Sequence, residues 1–315
     1  MHPALSIIIF TTASGAGYGL LALLGILAPL GLLPPDRLFG FVALALALGA
    51  VTGGLVSSAA HLGHPERALR AFSQWRTSWL SREGVASVAT YIPAGLFAIG
   101  WVFFGTTSGV WGVLGLLATL GAIVTVCCTA MIYRSLKPIQ RWHNAWVLPN
   151  YLALGLMTGA VWLVLVARVF AVDQPLLSWI ALVAIITATL LKLGYWRFID
   201  RTGSESTAES ATGLGAIGKV RLFEAPHTSE NYLLKEMGFR IARKHARKLR
   251  LFAQLTAFAL PFLWSLVALF AVGWAGALAA LLAALCASFG VLAERWLFFA
   301  EAKHAVTLYY GAARA

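Results

Sequence analysis

Eight long apolar stretches are the feature that most constrains the fold of this chain. A helix needs about 20 mostly apolar residues to cross the hydrocarbon layer of a bilayer. The candidate spans cover residues 4–31, 38–61, 84–104, 110–133, 147–171, 176–196, 249–272 and 275–300. The sequence therefore predicts an all-α integral membrane protein. We expect a bundle of eight transmembrane helices in a single membrane domain, residues 1–315.

The composition supports a membrane protein and decides how its charges and cysteines are interpreted. Hydrophobic residues make up 60% of the chain and charged residues 11%, whereas soluble domains carry about 25% charged residues. A net charge of +12 would suggest nucleic acid in a soluble protein. Here the charges lie in loops between apolar runs, so we expect no nucleic-acid partner. Cys127, Cys128 and Cys286 lie inside apolar runs without zinc or iron–sulfur spacing, which predicts small core residues and no metal in this chain.

Lys and Arg are concentrated in the loops on one side of the predicted bundle. That side holds loops 62–83, 134–146 and 197–250, and the last of these carries eleven basic residues. The other side holds Arg37 and Arg168 and little else. Because basic loops tend to stay in the cytoplasm, this asymmetry predicts cytoplasmic termini in a multi-pass protein of the bacterial inner membrane. A basic loop that docks a partner protein would bias the same count.

The segment 197–250 is the one extended hydrophilic region, and we expect it to form a long basic loop in the cytoplasm. Residues 230–250 have helical spacing with a basic face. That face suits either anionic membrane lipid or an acidic partner protein. The sequence leaves both partners open.

The densest polar cluster reads HLGHPERALRAFSQWRTSWLSREG and begins at His61. His61 closes the second predicted span and Glu83 opens the third, so the two side chains reach the same depth on adjacent helices. Between them, large apolar residues recur at helical spacing, which predicts a segment lying in the interface plane. These residues are Leu69, Phe72, Trp75 and Trp79.

A base and a carboxylate at lipid depth, flanked by Trp and Arg, suit quinone chemistry, which moves two electrons and two protons. Histidine titrates near neutral pH, so His61 and Glu83 together would hand protons to a bound quinone as electrons arrive. We therefore name these two as the candidate catalytic pair, with Trp75, Trp79 and Tyr91 as candidate quinone contacts. Four residues in loops on the same side are candidate docking contacts for a partner: Arg70, Arg76, Arg141 and His143.

Charges near span ends also have a structural explanation. Glu83 would pair with Arg82 or Arg76, and His61 would cap a helix C-terminus, where a charge is cheaper than at the bilayer centre. The charged residues near the end of the last span are predicted to form an interfacial helix end whose side chains reach water. These are Glu294, Arg295, Glu301, Lys303 and His304.

The histidines do not predict haem. A b-type haem needs two axial ligands that face each other inside a bundle, and here the histidines lie in loops or at span ends. Without haem this chain cannot carry electrons across the bilayer, so the electron donor and the quinone must meet on one side. The chain has no Rossmann, P-loop or iron–sulfur motif. The donor is therefore expected to be another subunit.

The pattern HLGHPERA, followed by SWLSREG at the start of the third span, resembles the membrane-anchor subunits of the dimethyl sulfoxide reductase family. The resemblance covers essentially the whole chain. It implies a haem-free anchor that binds quinone and holds a molybdopterin catalytic subunit and an iron–sulfur subunit with four clusters. It also implies that His61 is the quinol-site histidine, Glu83 its acidic partner and Arg67 the nearby arginine. His64 stands where many members have a small or polar residue, which leaves its role open.

The loop KPIQRWHN and the tail WLFFAEAKHAVTLYY resemble the branch of this family that oxidises sulfite. That branch has cytoplasmic catalytic subunits, in agreement with the orientation that the basic loops predict. The resemblance then implies that sulfite is oxidised to sulfate and that quinone is reduced near His61. One alternative is the anchor of a dimethyl sulfoxide-type reductase that oxidises menaquinol. A solute transporter is the alternative from another class, although the chain shows no convincing internal duplication.

Overall fold

The computed structural model describes residues 5–59, 69–70, 72–202, 206–224 and 245–310. Within these ranges the chain is helical and contains no β-strand. Eight helices of the described part are long and apolar enough to span a membrane, which confirms the predicted fold class. They are α1 (Leu5–Leu27), α2 (Arg37–Ala59), α3 (Trp79–Phe104), α4 (Gly109–Arg134), α5 (Val147–Val169), α6 (Pro175–Arg201), α8 (Ala246–Phe270) and α9 (Gly273–Ala300). A short helix α7 (Ala208–Thr212) lies between α6 and α8.

Side-chain contacts define one end of the bundle, which we call the Glu83 end. Arg250, near the start of α8, donates hydrogen bonds to Asp200 near the end of α6 and to Glu301 just after α9. Trp142, in the loop between α4 and α5, donates its indole N–H to the carbonyl of Phe298 in α9 (3.0 Å). The start of α3, where Glu83 lies, meets the last turns of α4 at this same end. The loops predicted to be cytoplasmic are those of the Glu83 end.

Helix α1 forms the centre of the bundle and packs against α2, α4, α5 and α9. Small residues permit its closest approach, to α5. A Cβ atom on Gly155 would lie 2.9 Å from the carbonyl oxygen of Gly15, and one on Gly159 would overlap the backbone of α1 at Gly19. This matches the packing role that small residues play between helices in lipid. Gly49 and Gly53 of α2 have the same spacing but behave differently, because a Cβ on either would meet no atom of the described residues within 4 Å.

Helix α3 begins at Trp79, five residues earlier than the sequence predicted. Ser78 is its N-cap and accepts a hydrogen bond from the backbone N–H of Ser81 (3.5 Å). The preceding residues 72–78 form turns in place of the predicted helical spacing. Arg82 folds these turns back onto the helix, since it donates to the carbonyls of Trp75 (2.9 Å) and Arg76 (2.6 Å). Glu83 consequently lies one turn inside the helix.

Helix α8 contains one π-type turn, Leu255–Ala259, immediately before Pro261. A proline lacks a backbone N–H and crowds the preceding turn, and a widened turn relieves both problems. The helix starts at Ala246, and α6 continues to Arg201. Both helices therefore extend into the segment 197–250 that the sequence presented as a loop.

Candidate functional site at the Glu83 end

Glu83 is a buried carboxylate that faces helix α4. Its exposed fraction is 4%. The hydroxyl of Thr129 donates a hydrogen bond to Oε1 of Glu83. The same hydroxyl lies 3.1 Å from the carbonyl oxygen of Thr125, one turn earlier in α4. Burial of a carboxylate is costly unless it has such a partner.

The Thr129 hydroxyl can serve both protonation states of Glu83. It carries one hydrogen and can also accept one. When Glu83 is ionised, that hydrogen goes to the carboxylate. When Glu83 is protonated, the carboxyl group donates to the hydroxyl, and the hydroxyl hydrogen turns to the carbonyl of Thr125. Glu83 can therefore gain or lose a proton while its carboxyl group and the Thr129 hydroxyl stay hydrogen-bonded.

A second group of hydroxyls lies deeper along α3. Tyr91 shares a 2.6 Å hydrogen bond with Thr52 of α2, in which either hydroxyl can be the donor. Tyr18 of α1 is a further buried tyrosine in the interior of the bundle. On the α2 side, Thr52 is exposed, and a Cβ on Gly53 would meet no atom of the described residues within 4 Å. These hydroxyls thus lie beside a surface of α2 that no described residue covers.

The two tryptophans predicted to contact quinone lie in the turns before α3 and at its first residue. Trp75 is exposed, and the guanidinium of Arg76 lies 5.5 Å from its ring. Arg82 stacks 4.2 Å from the ring of Trp79. Arg82 thus uses its donors on backbone carbonyls and its face on an indole. The structural explanation offered for Glu83 was an ion pair with Arg82 or Arg76. Arg82 instead contacts backbone carbonyls and Trp79.

Three sequence-predicted residues lie outside the described residues. These are His61, Arg67 and His64. The catalytic role of His61 and the quinone contact of Arg67 therefore stay predictions. The predictions of no haem and no metal likewise stay predictions.

The four candidate docking residues all lie in loops at the Glu83 end. Arg70 and Arg76 are exposed in the segment before α3. His143 is exposed between α4 and α5, and its ring Nδ1 lies 2.5 Å from the carbonyl of Arg134. Arg141 is half-buried and lines an open, mostly basic cavity with Asp200. These two loops offer positive charge to the same aqueous face.

A buried ionic cluster is the feature that the sequence interpretation missed. Lys192 of α6 forms an ion pair with Glu294 of α9, and the Nε of Arg295 lies 3.4 Å from the other oxygen of that carboxylate. The exposed fractions of these residues are 2%, 0% and 2%. The prediction that Glu294 and Arg295 form a helix end reaching water is wrong, because α9 continues to Ala300 and both residues are buried. The rings of Tyr151 and Phe298 also lie against the Arg295 guanidinium. Glu301 is also buried, against Arg250.

A small internal cavity separates the ionic cluster from Glu83. It admits about one water molecule. Arg295 and Tyr151 line one part of it, and Thr129, the partner of Glu83, lines another. The guanidinium of Arg295 stacks 3.8 Å from the ring of Tyr151. Thr12 of α1 also lines the cavity, and its buried hydroxyl has no hydrogen-bond partner among the described residues.

Comparison with known proteins assigns the chain to a family. Residues 1–194 match the family described as DMSO reductase anchor subunit (DmsC), a range that includes Glu83 and Thr129. The C subunit of a sulfite dehydrogenase from Allochromatium vinosum is 32% identical, in an alignment that covers 98% of this chain and 99% of the relative. The matched range ends inside α6, whereas the alignment with the relative also covers α8 and α9. On both grounds, the chain belongs to the family of DMSO reductase anchor subunits.

Proposed function

We propose that this chain is the haem-free, quinone-binding anchor of a molybdopterin iron–sulfur oxidoreductase. It would pass electrons between an iron–sulfur subunit with four clusters and the quinone pool. The family assignment supports the anchor role. The observation that carries the quinone site is Glu83 itself, a buried carboxylate whose hydroxyl partner accommodates both of its protonation states.

The residues present fit a quinone. The headgroup needs hydrogen-bond donors for its carbonyls and an exchangeable proton nearby. The paired hydroxyls of Tyr91 and Thr52 would supply donors at the uncovered surface of α2, where Gly53 leaves room for a flat ring. Trp75 and Trp79, in the turns before α3 and at its first residue, would supply apolar faces. When bound, the quinone supplies the two-electron couple of the reaction.

The protein contributes proton transfer and positioning. Glu83 holds a proton at its carboxyl group, and Thr129 keeps the carboxylate hydrogen-bonded after that proton leaves. His61, as the predicted second proton carrier, would complete the pair. General acid–base groups of this kind typically contribute about 10²–10⁴ in rate. The positively charged loops at the Glu83 end supply a docking face for the iron–sulfur subunit through Arg70, Arg76, Arg141 and His143.

The sulfite-oxidising reaction is the substrate assignment that we favour. The sulfite dehydrogenase relative aligns over nearly the full length of both chains. Together with basic loops at the Glu83 end, this supports cytoplasmic catalytic subunits and electron flow from sulfite to quinone. Affinity purification of the chain from bacterial membranes should bring down molybdenum and iron–sulfur subunits. Purification of the chain alone would instead support a transporter.

Replacement of Glu83 tests the quinone site. In membranes containing the assembled complex, we expect Glu83→Gln to lower sulfite-driven reduction of decylubiquinone by about 100-fold. Sulfite oxidation with ferricyanide as acceptor should be unchanged, because ferricyanide takes electrons without using the membrane site. Glu209→Gln, in the loop that contains α7, is the control and should leave both rates unchanged. Normal quinone-linked turnover in Glu83→Gln would remove the carboxylate from the mechanism.

A further inference from the structure

The ionic cluster of Lys192, Glu294 and Arg295 is a poor candidate for a stabilising element. It carries two positive charges and one negative charge, all inside the bundle. Replacement of buried ion pairs by apolar residues is often neutral or stabilising, because removal of the charges from water is costly. Ionisable residues inside a membrane protein often mark proton relays. The cluster therefore invites a functional explanation.

Lys192 is the one member that can release a proton and leave the others paired. A guanidinium does not lose its proton in proteins, so Arg295 stays charged. After Lys192 releases a proton, Glu294 and Arg295 still form a neutral pair. Unlike arginine, a buried lysine can act as a proton donor and acceptor, as catalytic lysines do. The cluster can thus alternate between a net charge of one and zero.

The cluster is connected toward Glu83 by polar groups. The ring of Tyr151 lies under the guanidinium of Arg295, and both residues line the small cavity. The cavity beside Tyr151 extends to Thr129, which donates to Glu83. The unpartnered hydroxyl of Thr12 in its wall favours a water molecule at that position, because a buried hydroxyl needs a partner.

The other side of the cluster leads to the aqueous face of the Glu83 end. Glu301 caps the end of α9 seven residues after Glu294, so the two residues lie on the same side of the helix axis, about 10 Å apart along it. Arg250 joins Glu301 to Asp200, whose side chain is exposed. This end provides contact with bulk water.

We propose that Lys192, with Glu294, is a proton-relay site that recharges Glu83. This rests on the proposed function, in which Glu83 gives its proton to quinone. The Lys192 ammonium releases one proton through Glu294, and the proton passes along the water and hydroxyl groups of the cavity to the Glu83 carboxylate. Lys192 becomes a neutral amine and Glu83 a neutral carboxyl group. A proton from water at the Asp200–Arg250–Glu301 side restores the ammonium.

Lys192→Arg separates the relay from a structural role. Arginine keeps the positive charge and the ion pair with Glu294 but cannot release a proton. In assembled complex we expect sulfite-to-decylubiquinone turnover to fall by about 100-fold, with ferricyanide-linked turnover retained. The residual rate should show a larger difference between H₂O and D₂O than the unaltered protein. Quinone-linked turnover equal to the unaltered protein would overturn the relay.

Chemical rescue provides a second test that does not depend on the assembly of Lys192→Arg. In Lys192→Ala, methylamine should restore quinone-linked turnover several-fold, because it brings back an exchangeable ammonium. Methylguanidine, which restores only charge, should not. Absence of methylamine rescue, or equal rescue by both compounds, overturns the relay. If Glu83→Gln is impaired while both Lys192 tests fail, the relay is wrong and the quinone site stands; if Glu83→Gln is normal, the proposed function itself fails.

Discussion

The Thr129 hydroxyl on α4 donates a hydrogen bond to the Glu83 carboxylate on α3, 46 residues earlier in the chain. This hydrogen bond links two membrane spans and also holds the carboxylate that the proposed reaction uses. It makes Thr129 a positioning residue for Glu83. Its contribution can be measured separately from the packing of α4.

We expect Thr129→Val to lower quinone-linked turnover while the protein still assembles. Valine fills the same space but leaves a buried carboxylate without its donor, a loss worth about 1–3 kcal/mol. Thr119→Val is the matched control, since Thr119 is also buried on α4 and donates to the carbonyl of Ala22 (3.0 Å), remote from Glu83. Turnover with decylubiquinone and thermal unfolding in detergent should be measured for both. An equal loss of turnover in the two variants would show that Thr129 acts through packing alone.

Because α1 and α5 approach each other closely, one methyl group added between them should destabilise the protein. A Cβ on Gly159 would overlap the backbone of α1, so Gly159→Ala must push the helices apart. Overpacking of this kind costs about 1–3 kcal/mol. We expect a lower midpoint of thermal unfolding in detergent, followed by fluorescence. Gly53→Ala should leave the midpoint unchanged, because a Cβ there meets no atom within 4 Å among the residues that the structure describes. Similar midpoints for the two variants would contradict the helix contact.

Replacement of Glu294 in the ionic cluster should destabilise the protein more than replacement of Lys192. Glu294→Gln leaves two buried cations without a counter-charge, and removal of one partner of a buried pair costs about 3–5 kcal/mol. Lys192→Met leaves a neutral pair of Glu294 and Arg295 and should be milder. We expect the amount of membrane-inserted protein, measured by immunoblot, to fall further in Glu294→Gln. The reverse order would mean that Glu294 is neutral in the folded protein.

The orientation of the Glu83 end is open to direct measurement. Eleven basic residues in the segment 197–250 predict that this end and both termini are cytoplasmic. A fluorescent reporter fused after Ala315 should be bright. Alkaline phosphatase inserted at Thr106, between α3 and α4, should be active, because that enzyme matures only outside the cytoplasm. Phosphatase activity from a fusion at the C-terminus would move the catalytic subunits to the outer face and exclude the cytoplasmic sulfite assignment.

Hydrophobic length alone was enough to predict the eight spans, because the bilayer imposes one dominant rule on each segment. The local exception was the start of α3. There the Ser78 cap and the Arg82 hydrogen bonds to preceding carbonyls extend the helix beyond its apolar run. Such capping contacts depend on side-chain geometry, and hydropathy carries no information about them.

The candidate site was predicted in part. Glu83 was identified from its position near a span end, and its burial agrees with that choice. Lys192 and Glu294 could not be paired, since they are 102 residues apart and a single sequence does not say which helices adjoin. The available signal was an acidic residue followed directly by a basic one inside an apolar run. Opposite charges at that depth need partners on another helix.

Helix α1 precedes the other described spans along the chain, yet the neighbours that enclose it include α9, which follows them all. A partly synthesised chain must therefore hold the glycine-rich flank of α1 against lipid until α5 arrives to cover it. Chains that stop early leave this flank bare. The burial of α1 is therefore complete only after spans far along the chain have packed against it.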